Sequence, residues 1–397
     1  MTSACEAPGG AAVPIAQGHR RQCAVPPYLL EQLSRYRPQD PGVPTSPAGP
    51  SIRPPYTPRS GPRPEAPGWD PDLRVDVDRT LELDQRVREL RHRGILPEPG
   101  IAAPSGTLDR TVSDARGTEG LPGAVVRSEG DPPAQDAAVD EAYDGMGSVH
   151  RFLEEIYRQS SLDGTGLELL ATVHYGHRYD NAFWNGTRLV FGDGDGEIFT
   201  GFTPSLSVIG HELAHGLMQY AADLDYEGQS GALNESFADV LGALVDQYVQ
   251  GHTAGQATWL IGAEVFGPGV RARGLRSMSA PGTAYDDPRL GRDPQPDHMD
   301  RFVVTQEDYG GVHLNSGIPN RAFQLAATAL GGHAWERAGQ VWFDVVVSEE
   351  LPQDVDFAGF ARATVAAGLD RFGDEVARII RESWAQVGVL TEAVAAP

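Results

Sequence analysis

At 397 residues, 40% of them apolar, the chain exceeds what one small core holds, and two or three domains are expected. Its 32 basic residues, all arginine, face 55 acidic ones, and a net charge of −23 argues against nucleic acid and anionic membrane surfaces as partners. The only cysteines are Cys5 and Cys23, so beyond them no disulfide framework and no thiolate ligand is available.

Residues 1–108 read as a part of their own, nearly neutral with 13 arginines against 12 acids, and holding 19 of the 31 prolines. Within the first 25 residues Pro14, Gln17 and His19-Arg20-Arg21 interrupt any signal-peptide apolar core. Secretion by a route not readable here is the expectation, cytoplasmic residence the alternative. Pro38 to Pro71 reads as an extended, poorly packed and disordered linker. Two islands look ordered: Val25–Leu33, an apolar stripe around Pro26-Pro27, and a stretch from about Leu73 to Arg93.

From Arg110 the texture becomes globular. Val149, Phe152, Leu153, Ile156 and Tyr157 recur at helical spacing and predict a helix over 139–158. Leu167–His174 and Thr187–Phe191 read as strands around turn chemistry at Asn185-Gly186. The Gly192–Gly196 loop opens like a calcium loop, but Ile198 stands where glycine is required and the bidentate glutamate is missing, so a plain turn is expected. Beyond Val208 helix-length patterns dominate, closing with Phe357–Leu369 and Asp374–Gln386, and no apolar run is long enough to span a bilayer.

The chemistry sits in Val208-Ile209-Gly210-His211-Glu212-Leu213-Ala214-His215. Residues four apart share one helix face, so His211 and His215 can meet one metal ion while Glu212 reaches its open side. Glu235, twenty residues after His215, can arrive on a second helix as third ligand. Two imidazoles and one carboxylate leave a position for water, the catalytic rather than the structural zinc pattern. Asp239, one turn beyond Glu235, can accept the outer N–H of His211 and fix its tautomer.

His211–His215 with Glu235 and Asp239 resembles the thermolysin family of zinc metalloendopeptidases. Asn181-Ala182-Phe183-Trp184-Asn185-Gly186, Leu275-Arg276-Ser277-Met278 and Gly310-Gly311-Val312-His313-Leu314-Asn315 extend the resemblance over most of residues 110–393. It implies Glu212 as general base and then acid, His313 and Tyr226 as donors to the oxyanion, and Asp308 as the group orienting His313. It further implies Arg276 on a substrate carbonyl and Asn181 with the Ala182 backbone pairing an extended peptide. Phe199, Phe202, Val208, Ile261, Val265 and Leu275 would line the pocket after the cut bond, so cleavage before apolar residues is expected. The implied fold is α+β and two-lobed: a strand-rich lobe over 109–222 carrying the zinc helix, and a helical lobe over 223–393, the zinc helix lying between them.

The chain also departs from that family. At the positions of its double calcium site stand Ser207, Asp246, Thr258, Leu260 and Ala263, and a further site meets Arg273, so one zinc ion is expected and calcium is doubtful. The Pro26-Pro27-Tyr28-Leu29-Leu30 island is similar to the short propeptide of the protealysin-like branch. Residues 1–108 are thus expected to hold a latent precursor, released by cleavage near residues 100–115, with Cys23 a candidate thiolate ligand before release. Peptide and protein substrates and its own propeptide are the expected partners of a monomer. Two rivals are an aminopeptidase, whose Gly-x-Met-Glu-Asn strand is absent at Asn181-Ala182-Phe183-Trp184, and a non-catalytic peptide-binding scaffold, against which every mechanistic residue is present.

Overall fold

The computed structural model describes residues 22–36, 72–92, 108–348 and 350–390. The linker expected over 38–71 and the early part of the cleavage window, 100–107, lie outside the described residues. Among the described residues three elements precede the globular part: after strand β1 (Gln22–Cys23) come helices α1 (Pro27–Arg35) and α2 (Asp72–His92). Pro27 opens α1, where its missing N–H is not needed, and Leu29, Leu30 and Leu33 form its buried stripe.

The strand-rich lobe is built from β2 (Arg110–Asp114), β3 (Ala124–Ser128), α3 (Ala137–Tyr157), β4 (Leu169–Val173), β5 (Ala182–Trp184) and β6 (Leu189–Phe191). Its sheet runs β1-β5-β6-β4-β2-β3, with β2, β4 and β6 parallel and the remaining pairings antiparallel. β2 and β3 were not foreseen, their Arg-Thr-Val-Ser-Asp and Ala-Val-Val-Arg-Ser strings being short and mixed in polarity. The expected helix is α3: Asp136 caps it by accepting from Ala138 N at 3.0 Å, and Val139, Met146, Val149, Phe152 and Leu153 are buried along one stripe. The Gly192–Gly196 segment is a turn whose Asp195 Oδ1 accepts from the N–H groups of Glu197 and Ile198 at 2.6 and 2.7 Å.

Helix α4 (Leu206–Tyr220) crosses the floor of the sheet and packs along α5 (Gly228–Gln250). Between α5 and the last helices lie two short ladders. β7 (Leu260–Ile261) pairs β8 (Arg276–Ser277), and β9 (Asp286–Asp287) pairs β10 (Gly291–Arg292). Then follow α6 (Asp308–Asn315), α7 (Gly317–Leu330), α8 (Ala338–Val347), α9 (Phe357–Phe372) and α10 (Asp374–Gln386). Trp342 and Trp384 stack at 5.9 Å, edged by Phe323 and Phe360, and anchor the helical lobe. One apolar cluster runs through both lobes, so the site between them rests on a continuous core. Among the described residues no helix is long and apolar enough to cross a membrane.

Candidate active site

Two glycines bring α4 and α5 together. A Cβ on Gly242 would stand 2.2 Å from Ser207 O, and one on Gly210 would stand 2.8 Å from Gly242 Cα. At that approach Glu235, on α5, faces His211 and His215, one turn apart on α4. Their ligand atoms lie within 4.8 Å of one another, the one such group among the described residues. His211 Nε2 is 3.1 Å from His215 Nε2 and 3.5 Å from Glu235 Oε2, and His215 Nε2 is 3.6 Å from Glu235 Oε1. Metal–ligand bonds of about 2.0–2.2 Å make tetrahedral edges of roughly 3.3–3.6 Å. The triangle therefore has nearly the dimensions a tetrahedral ion requires.

The outer atoms decide which nitrogens are bare. His211 Nδ1 donates to Asp239 Oδ1 at 2.8 Å and His215 Nδ1 donates to Asn234 Oδ1 at 2.9 Å, leaving both Nε2 lone pairs aimed inward. Burial and the neighbouring His211 push the His215 pKa well down, so its ring stays neutral. Burial alone would raise Asp239, but Arg276 and His211 hold it well below the usual carboxylate range. Glu235 Oε2, buried, has no hydrogen-bond partner. Two imidazole lone pairs converge on a carboxylate oxygen that receives no hydrogen bond, an arrangement that a bound cation would stabilise. The residues present fit a zinc ion.

Glu212 is fully buried and outside the ligating group; its Oε2 accepts from Trp184 N of β5 at 2.7 Å. His313 is held by Asp308 twice, through Nδ1 at 2.6 Å and through its backbone N–H at 2.8 Å. This needs a left-handed run over Asp308, Tyr309, Gly310 and Gly311, with φ of 51, 52, 84 and 78°, which the Gly-Gly pair accommodates. Burial opposes protonation of His313, while Glu235 and Asp308 raise its pKa to about 9. Tyr226, kept protonated by burial and by Glu235, donates to Glu235 Oε1 and lies 3.4 Å from His313 Nε2. Arg276 clasps Asp239 through Nε and Nη2, both at 2.8 Å, and extends Nη1 into the cleft.

The cleft holds the chain's own N-terminal segment. β1 pairs antiparallel with β5, Cys23 opposite Phe183, and Ala24 N donates to Ala182 O at 3.1 Å. Val25 N donates to Asn181 Oδ1 at 2.9 Å, Arg276 Nη1 donates to Ala24 O at 2.7 Å, and His313 Nε2 lies 3.3 Å from Cys23 O. Asn181, Ala182 and Arg276, expected from the family resemblance to hold an extended peptide, and His313, expected from it to face the oxyanion, all lie against this one. The Cys23 carbonyl faces the site. Its side chain shares the face of Phe183 and belongs to a small apolar cluster with Leu83, Tyr175 and Tyr179, outside the ligating group. Phe199, Phe202, Val208, Ile261, Val265 and Leu275 are all fully buried, in the same core cluster as Ala24.

Several partners were not read from the sequence. Asn234 precedes Glu235 and so shared its signal; Asn320, whose Nδ2 donates to Asp239 Oδ2 at 2.8 Å, and the Trp184 N–H carried none. Asp84 on α2, buried, accepts from Asn181 Nδ2 at 3.0 Å and from Tyr179 Oη, and Thr80 accepts from Asp180 N at 3.2 Å.

Residues 111–219 match the family model of the thermolysin metallopeptidase catalytic domain, and residues 222–389 that of its alpha-helical domain. An extracellular metalloprotease of Pectobacterium carotovorum subsp. carotovorum is 55% identical over 293 residues, 74% of this chain and 84% of the relative. Protease PrtS of a Photorhabdus species is 48% identical over 287 residues, covering 72% and 77%. Among solved structures, the precursor of protealysin, a metalloproteinase from Serratia proteamaculans, superposes with a TM-score of 0.79 at 44% identity, over 93% of this chain and 100% of that one. The chain belongs to the thermolysin family of metallopeptidases and is a zinc neutral endopeptidase made as a precursor.

Proposed function

We propose that the enzyme cuts internal bonds of extended polypeptides on the N-terminal side of an apolar residue, with one zinc ion on His211, His215 and Glu235, and that residues 1–108 hold it latent. The observation that carries this reading is the peptide in the cleft: a segment from the N-terminal part engages Asn181, Ala182, Arg276 and His313 together.

Zinc held there supplies Lewis acidity to the water and to the scissile carbonyl. Glu212 takes the proton of the attacking water and returns it to the leaving nitrogen. His313, oriented by Asp308, and Tyr226 donate to the oxygen that becomes negative. Arg276 and Asn181 fix the substrate on the far side of the bond, while Asp239 fixes the His211 ring. The preference for apolar residues after the cut is supported by the six apolar side chains that the family likeness assigns to that pocket, all of them buried.

Calcium has little to do on this reading. Ser207 Oγ accepts from Gly262 N at 3.0 Å, and Arg273 Nη2 donates to Thr283 O at 3.1 Å, hydrogen bonds where the family places ligands. The likeness to the extracellular metalloprotease of Pectobacterium carotovorum supports secretion. A monomer without nucleic-acid partners fits the net charge of −23.

The test is an N-terminally blocked peptide series given to the activated enzyme. Cleavage before Leu, Phe, Ile or Val is expected, with Glu212→Gln lowering the rate about 10²–10⁴-fold. Cleavage of free-amine peptides alone would establish an aminopeptidase, and tight binding without turnover a scaffold.

A further inference from the structure

Two successive carbonyls of the N-terminal segment fix which bond lies at the reacting groups. Cys23 O is 3.3 Å from His313 Nε2, and the next carbonyl, Ala24 O, is 2.7 Å from Arg276 Nη1. Ala24 N donates to Ala182 O at 3.1 Å, and Val25 N donates to Asn181 Oδ1 at 2.9 Å. This register has no slack, because a slip by one residue would turn every side chain to the opposite face, and Ala24 and Val25 are both fully buried where they stand. The bond between the two anchored carbonyls is Cys23–Ala24.

We propose that Cys23–Ala24 is a cleavage site of this enzyme in its own precursor, cut within the same chain and separately from the event that frees residues 1–108. The proposal rests on the assignment of Glu212 and His313 made above. Water adds its oxygen to the Cys23 carbonyl carbon and the C–N bond breaks. The proton taken by Glu212 passes to the Ala24 nitrogen, and the second proton of the water follows it from the new carboxyl group, leaving a carboxylate on Cys23 and an ammonium on Ala24; no other reactant is needed.

The cut does not by itself release the enzyme. The anchors at Arg276 and Asn181 lie on the Ala24 side, and α1 follows with Leu29, Leu30 and Leu33 fully buried. The piece beginning at Ala24 therefore stays in the cleft as a bound product, whereas on the other side β1 is two residues long. Latency then outlasts the clip, and activation needs a second step that removes α1.

The experiment uses the zinc-loaded full chain. Intact-mass and N-terminal analysis should find a new terminus at Ala24, at a rate independent of precursor concentration. In ¹⁸O-water one label should enter the carboxylate of the released 1–23 piece. The Ala24 terminus should fall by about 10²-fold or more in Glu212→Gln, and by about tenfold or more in Ala24→Asp, which places a charge among apolar side chains. Native mass spectrometry should show the rest of the chain intact after loss of 1–23, with casein still uncut. Hydrogen exchange on the uncut Glu212→Gln chain gives a reading independent of turnover: the Ala24 and Val25 amides should be slowed about 10²-fold or more.

A terminus elsewhere within residues 22–36 in place of Ala24, a rate that rises with concentration, or unprotected amides would overturn the proposal. If activated enzyme cuts blocked peptides but no Ala24 terminus forms, this inference falls and the endopeptidase reading stands. If neither happens, the endopeptidase reading falls as well.

Discussion

Gly242→Ala tests whether the metal centre depends on how closely two helices approach. The added Cβ would sit 2.2 Å from Ser207 O, a backbone atom that no rotamer change can move. Ordinary contact requires α5 to retreat from α4 by about 1 Å. Glu235 lies two turns, roughly 10 Å, before Gly242 on the same helix, so a rigid retreat takes it along. Metal sites hold their distances to within about 0.2 Å, so the shift is several times what the ligands tolerate. Alanine gains about 1 kcal/mol in helix propensity over glycine, against an overpacking cost of about 1–3 kcal/mol. A net loss of about 1 kcal/mol is expected, or 2–4 °C in Tm. Zinc affinity, measured by competition with a chromogenic chelator, should fall about tenfold or more. Unchanged affinity together with a Tm within about 1 °C of the parent would refute the helix-spacing argument.

Asp84→Ala in the precursor leaves the Asn181 amide and the Tyr179 hydroxyl without their buried acceptor, a cost of about 1–3 kcal/mol. Basal casein cleavage should rise about tenfold, and a precursor as silent as the parent would deny α2 a part in latency. His174 is hydrogen-bonded by Asp193 and also by Asp136, which raises its pKa from 6.5 to about 9. Its contribution is therefore complete below about pH 6.5 and lost as pH rises through about 9. The imidazole is partly exposed, and screening reduces the effect to about 1 kcal/mol; the Tm gap to His174→Gln should close between pH 7 and 10, and a constant gap would contradict it. Millimolar calcium should move Tm by less than about 2 °C, and a rise of many degrees would mean that the Ser207 and Arg273 loops bind the ion.

The parts of the site legible in the sequence are those that local periodicity encodes. His211 and His215 are four apart on a helix, Glu235 and Asp239 are four apart on the next, and the buried stripe of α3 repeats the same spacing. What no local pattern encodes is pairing across distance. Val25 meets Asn181 across 156 residues and Arg276 meets Ala24 across 252, and neither strand announces the other. Asn320 reaches Asp239 from a helix with no motif of its own. The left-handed run at Asp308–Gly311 was half visible, since Gly310-Gly311 permits it but does not say which side chain it will aim. Period two, which no motif near Cys23 revealed, sets its pose: opposite Phe183 its side chain shares that residue's face, and its carbonyl meets His313.

Arg276 limits how latency and catalysis can be adjusted. Its Nε and Nη2 are committed to Asp239, and through Asp239 to the His211 tautomer, leaving Nη1 for the carbonyl in the cleft. A bound substrate and the N-terminal segment compete for that same N–H. A change at Arg276 that loosens the segment therefore weakens substrate binding and disturbs the metal ligands at once. The contacts from α2 lie off the peptide track: Asp84 reaches the side chain of Asn181, Thr80 the Asp180 N–H, and Asp76 the Arg178 guanidinium at 2.9 Å. Thr80 and Asp76 grip the support of the edge strand, so their strength can change while the groups that act on substrate stay as they are; Asp84 orients the amide of Asn181, a group that also meets the peptide. Precursor stability can therefore be adjusted through Thr80 and Asp76 on α2 without altering Arg276, whereas the hold of α1 and of the Ala24 and Val25 contacts has to be broken before a substrate can take their place.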